Sequence, residues 1–164
     1  MITTINEFKL LLHTIIINEV NKSDNNVLDF DKWFEGSKVV DSYGKPLIVY
    51  HGSTTEITEF YNGTYFTPDY YNADGYANGE YIYEAYLSIK KPLIINGKGK
   101  KWDQLNTIYG TTTQEIVSNL DTNKYDGIIF NNIKDNWIDD EDYQEASTIY
   151  YTVNSSQIRS TDNI

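Results

Sequence analysis

Cysteine is absent from the chain, and histidine occurs only twice, at His13 and His51. The first absence excludes disulfides, thiolate nucleophiles and cysteine-based zinc sites, and two distant histidines are poor material for a metal centre, so no metal is expected. No apolar run approaches the ~20 residues needed to cross a bilayer, and the amino terminus shows no basic stretch followed by a hydrophobic one. The expectation is a cytoplasmic protein with no membrane partner and no signal peptide. Basic residues are in the minority, 13 Lys and Arg against 24 Asp and Glu, which leaves a formal charge of −11. That sign argues against nucleic acid and anionic membranes, which require a basic face, and suits a neutral or basic partner. The glycine-rich patterns GxGxxG and GxxxxGK[ST] are also missing, so neither a Rossmann nor a P-loop nucleotide site is supported.

What remains is a chain of 164 residues with 15 tyrosines, a length that suits one compact unit. "TINE" at 4–7 fits a capping box, and Ile5, Phe8, Leu12, Ile15 and Ile16 recur at helical spacing, so residues 5–21 predict an amphipathic helix. "NKSDNN" (21–26) reads as a polar break, followed by a short helix presenting Phe30, Trp33 and Phe34. These features divide the chain into an N-terminal helix with its connector (1–26) and a domain over 27–164. Within that domain, "SKVVDSYGKPLIVYH" predicts a hairpin whose second strand runs into His51, and 63–67 predicts a strand leading into a helix opened by Pro68 or Asp69. Residues 81–95 alternate as one long or bent strand interrupted at Pro92, 102–109 and 112–121 read as helices, and 125–130 and 148–153 as strands. Strands with short helices distributed among them indicate an α+β fold.

Histidine at a strand end is ordinarily a structural hydrogen-bonding residue, and tyrosines fit half-buried strands without further purpose. The order of elements is more informative: His51-Gly52-Ser53, then Tyr65-Phe66-Thr67, then Tyr76, eleven positions after Tyr65, then a late acidic segment and a final strand. This order resembles the diphtheria-toxin-like and poly(ADP-ribose)-polymerase-like ADP-ribosyltransferases, and is most similar to the small transferase domains of phages and polyvalent proteins. The resemblance runs from about Trp33 to Ser160 through "YHGS", "YFT" with Ala73 and Tyr76, "YLSIKKPL", "YDGIIF" and "NSSQIRS". It implies two split antiparallel β-sheets with short helices, the amphipathic helix preceding them.

The resemblance further implies NAD as substrate. Breaking the bond between its cationic nicotinamide and ribose generates an oxocarbenium-like sugar, as in glycoside cleavage. Two aromatic faces can sandwich the flat cation. By resemblance Tyr65, with Phe66 beside it, and Tyr76 form that clamp, Gly52 lets the backbone approach the carboxamide, His51 binds a ribose hydroxyl of the adenosine half and Ser53 adds a second polar contact. The stabilising carboxylate is less direct. Aligning on Gln157 puts Ile149 where the polymerases carry glutamate. Glu145 is the first candidate instead, Glu141 the second, and Asp139, Asp140 and Asp142 follow. The implied activity is mono-ADP-ribosyl transfer to a macromolecular acceptor, a host protein modified by a phage or mobile-element effector in the host cytoplasm, with the enzyme a monomer. The alternatives are a non-catalytic NAD- or protein-binding module of the same fold, and an NAD glycohydrolase.

Overall fold

Residues Ile5–Phe34 form one helix, α1, where the sequence suggested a helix, a polar break and a second short helix. "NKSDNN" contains neither Gly nor Pro, and Asn, Ser and Asp each cost at most about 0.7 kcal/mol relative to Ala inside a helix. Extending an existing helix through them is easier than ending it and nucleating another. Phe30, Trp33 and Phe34 cluster along its last turns, with ring centroids 5.6 Å apart for Phe30 and Trp33 and 5.7 Å for the stacked Phe30 and Phe34, while Leu12, Ile15 and Ile16 are exposed. The computed structural model describes residues 5–135 and 145–161, and the chain divides into two compact units between Glu35 and Gly36. No described helix is long and apolar enough to cross a membrane.

The second unit is built on two sheets. Strands β1 (Val49–Ser53), β3 (Tyr81–Leu87) and β7 (Ile158–Ser160) form the first, in the order β1-β3-β7, with both pairs antiparallel. The second sheet has the order β2-β6-β5-β4, from β2 (Tyr65–Phe66), β4 (Pro92–Asn96), β5 (Gly127–Ile133) and β6 (Ser147–Thr152). Its β4–β5 pair is parallel and its other pairs are antiparallel. A parallel pair requires a crossover, and here α3 (Asn106–Tyr109) and α4 (Thr113–Ser118) lie within it. The short helix α2 (Tyr70–Ala77) follows β2, with Asp69 as its N-cap accepting from the amides of Tyr71 and Asn72.

Burial follows the strand alternation. Ile129, Tyr150 and Phe66 of the second sheet pack with Val49, Ala85 and Leu87 of the first. On its other face Ile128, Phe130, Ile133 and Ile149 pack with Leu105, Ile108, Ile116 and Val117 from the crossover. β5 is thus covered on both faces, which accounts for its unbroken apolar start "GIIF".

Several expected elements take a different form. The hairpin before His51 contracts to a single bridge between Val40 and Pro46. The expected strand over 81–95 becomes two, β3 and β4, in different sheets. β5 continues through "NNI", past the expected strand end at Phe130, and β7 (Ile158–Ser160) lies beyond the last expected strand. One clasp explains the split. The Asp126 carboxylate accepts from the amides of Lys90 and Lys91, at 2.8 and 2.7 Å, between the two strands. Gln157 Nε2 donates to the carbonyls of Ser88 and Asp126, at 3.1 and 2.8 Å. Asp126, "IKK" and "QIRS" therefore meet at one point, and a Cβ on Gly127 would lie 2.7 Å from the Tyr151 carbonyl oxygen.

Candidate functional site

The two sheets meet at a corner where Tyr50 and Thr67 exchange backbone hydrogen bonds, Tyr50 N–H donating to Thr67 O at 2.7 Å and Thr67 N–H to Tyr50 O at 3.0 Å. A cleft of about 350 Å³ opens there. Its walls come from β1 (Tyr50, His51, Gly52), from β2 and the residue after it (Tyr65, Phe66, Thr67), and from α2 (Ala73, Tyr76), with Trp102, Gln114, Asp135 and Ile149 completing it.

His51 lies within β1, paired with Tyr83, and not at the strand end. Its Nδ1 is 2.7 Å from the Tyr65 carbonyl oxygen. A carbonyl only accepts, so Nδ1 carries the proton and Nε2 is left as an acceptor. Burial lowers the imidazole pKa below its ordinary 6.5, and the Tyr65 carbonyl offsets part of that shift. The ring is neutral near pH 7 and is flanked by Phe60 and Phe66, with centroids at 6.0 and 5.6 Å.

Gly52 lines the cleft with its backbone, but its missing side chain faces elsewhere. A Cβ there would lie 1.8 Å from the carbonyl oxygen of Ala73, so the glycine lets α2 pack directly on β1. Ser53 is not part of the lining. Its hydroxyl donates to the Thr55 carbonyl at 2.7 Å and accepts from the Thr55 amide at 3.1 Å, closing a local turn.

Tyr65 is packed between Tyr151 and Trp102, with ring centroids at 4.9 and 5.6 Å. Burial, with a smaller contribution from Tyr151, raises its phenol pKa from 10.0 to about 12. Tyr76 reaches the cleft from α2, and its hydroxyl donates a hydrogen bond to Asp135 Oδ1. Burial first, then the hydrogen bond and charge of Asp135, push its pKa well above the ordinary tyrosine value. Both phenols stay protonated at neutral pH.

Among the acids, Glu145 is exposed two residues before β6 and does not line the cleft. Glu141, with Asp139, Asp140 and Asp142, lies outside the described residues. Ile149, where the alignment on Gln157 put the polymerase glutamate, does line the cleft and is 6% exposed.

Sequence reasoning passed over Asp135, Trp102 and Gln114. Asp135 is 4% exposed and is placed by two tertiary features. Asn132 adopts a left-handed φ of 53° where the β5–β6 register shifts between Phe130 and Ile133, a bulge of the kind that re-aims side chains at strand ends. The residue before Asp135 then pairs with the crossover: Lys134 N–H donates to Lys100 O and Trp102 N–H to Lys134 O, both at 2.9 Å. That pairing brings Trp102 and Asp135 to the same cleft. The available signal was the alternation of Ile133 and Asp135 about Lys134, which a run of downstream acids obscures.

Among the described residues, aromatic faces, a buried carboxylate and a neutral imidazole acceptor suit a flat cation attached to a hydroxyl-bearing group. The described lining contains no Lys or Arg, so the cleft is not itself a phosphate cradle. Its volume is at the low end of the ~300–1,000 Å³ usual for ligand pockets, which suits one half of a dinucleotide.

Comparison with known families matches residues 41–164 to the family described as ADP-Ribosyltransferase in polyvalent proteins. No curated protein and no solved structure matches the chain.

Proposed function

Because this chain belongs to the ADP-ribosyltransferase family of polyvalent proteins, we propose that it transfers a single ADP-ribose unit from NAD to a macromolecular acceptor and releases nicotinamide. The acceptor in this reading is a host protein, and the setting is a phage or mobile-element effector acting as a monomer in the host cytoplasm, including interference with host defence. The observation that carries it is the convergence of His51, Tyr65 and Tyr76 on one aromatic-walled cleft with a buried carboxylate.

In this reading the nicotinamide stacks between Tyr65 and Tyr76. The backbone at Gly52 and Phe66 borders the carboxamide, and His51 Nε2 accepts from a ribose hydroxyl of the adenosine half, at the edge of the nicotinamide site. His51 positions the substrate and transfers no proton, which fits its neutral state. Ser53 is left the outer role of holding the turn after β1. Glu145, with Glu141 as the second choice, supplies a carboxylate to the ribose 2′-hydroxyl from the segment that enters β6. A preorganised charge at a developing cation contributes about 3 kcal/mol in comparable sites.

A second reading is favoured by Ile149. An apolar side chain lines the cleft where the polymerases carry glutamate, which suits a module that binds NAD or protein without turnover. Incubation with NAD labelled in the adenosine half, with and without host lysate, tests both. Label on protein supports transfer, free ADP-ribose without labelled protein marks an NAD glycohydrolase, and intact NAD marks the binding module.

A further inference from the structure

Asp135 is the one carboxylate among the described lining residues of the cleft, and it is buried. It stands just past the bulged end of β5, held in place by the Lys134 backbone pairing with Lys100 and Trp102. It is joined to a clamp residue, because the Tyr76 hydroxyl donates to its Oδ1. The described lining holds no Lys, no Arg and no second carboxylate, and burial favours the uncharged form of the His51 imidazole. A negative charge screened from water acts several times more strongly on a ligand than it would in solution.

We infer that Asp135 makes the cleft selective for the cationic form of the nicotinamide ring, holding the substrate and favouring departure of the product. This rests on the NAD reading above and adds a residue to it. The bond between ribose C1′ and the ring nitrogen breaks with both electrons passing to nitrogen, so the ring enters as a cation and leaves neutral. Positive charge moves to C1′, where a lone pair of the acceptor or of water forms the new bond and its proton goes to solvent. A carboxylate on the ring side attracts the ring before this step and has no cation to hold afterwards. Its contribution falls on substrate affinity and product release, distinct from a carboxylate at the ribose, whose contribution falls on turnover.

The test compares two probes of nearly the same shape, neutral nicotinamide and cationic N1-methylnicotinamide, by calorimetric titration of the full chain. Wild type is expected to bind the cation about tenfold more tightly. Asp135→Asn should bring the two affinities within about twofold of each other by weakening the cation alone, and Asp135→Glu should restore the preference. In steady-state assays Asp135→Asn should raise KM for NAD about tenfold, with kcat within about threefold, and make nicotinamide relatively more inhibitory. Equal affinities for the two probes in wild type overturn the inference without any variant. An Asp135→Asn protein that keeps the cation preference overturns it while leaving the NAD reading intact. Failure of wild type to bind either probe or to consume NAD overturns both.

Discussion

Gly52 and Ala73 are in backbone contact: a Cβ on residue 52 would lie 1.8 Å from the Ala73 carbonyl oxygen and 2.8 Å from the amide nitrogen of Ala77. Neither neighbour is a side-chain end that can swing away. Gly52→Ala must therefore displace α2 from β1, and it is expected to destabilise the chain by about 3 kcal/mol, the upper part of the usual overpacking range. Urea unfolding measures the loss. An unchanged midpoint would show that α2 does not rest on β1 as described.

Tyr65 separates the contribution of a ring from that of a hydroxyl. Its face is what the clamp requires, so Tyr65→Phe should hold NAD within about twofold of wild type, whereas Tyr65→Ala should weaken it about tenfold. Equal losses in the two variants would assign the contribution to the phenol oxygen. Both need a thermal unfolding control, because Tyr65 also packs on Tyr151 and Trp102.

Glu145→Gln is expected to reduce turnover roughly a hundredfold with NAD affinity within about twofold, if its charge acts at the ribose. Single-turnover nicotinamide release measures it. Undiminished turnover would leave Glu141 as the next acid to substitute.

For His51 the sign of the pH dependence follows from its lowered pKa. The unfolded chain takes up a proton near pH 6.5 while the folded chain, with its lower pKa, does not. Its stabilising contribution is complete above the unfolded value and is lost as pH falls through the folded one. Protonation also removes the Nε2 acceptor, so NAD affinity should be level at neutral pH and decline only as pH falls through the lowered folded value. His51→Gln should flatten that decline. Titrations from pH 5 to 8 follow both quantities, and a decline in the opposite direction would reject the neutral tautomer.

Asp126 holds the chain where it passes from one sheet to the other. Asp126→Ala removes the acceptor of two backbone amides and should cost about 2 kcal/mol. In this variant kcat is expected to stay near wild type, since Asp126 is not part of the cleft lining. A loss of turnover without a loss of stability would contradict the structural role.

Local patterns revealed most where the signal is carried by neighbouring residues. The Asp69 cap, the α2 helix behind it and the apolar start of β5 are all visible at short range. The placing of His51, Tyr65 and Tyr76 around one cleft followed from resemblance, which integrates several such segments. Three of the motifs behind that resemblance, "IKK", "YDG" and "QIRS", prove to be joints of the framework and not ligands of the site. Asp135 was hidden for a physical reason. Its position depends on a bulge at Asn132 and on pairing of Lys134 with a segment more than thirty residues earlier, and no local period encodes either. The helix through "NKSDNN" was misread because polar composition resembles a loop even when nothing in it breaks a helix.

The Tyr50–Thr67 bridge has a mechanical consequence. It fastens the three-stranded sheet to the four-stranded one beside the cleft, while Gln157 and Asp126 fasten the β3–β4 passage. A molecule lodged between His51 on one sheet and Tyr65 on the other acts as an added rivet across that seam. Occupancy should therefore slow amide exchange at Tyr50 and Thr67 and raise the unfolding temperature with ligand concentration, so the seam itself reports when the cleft is filled.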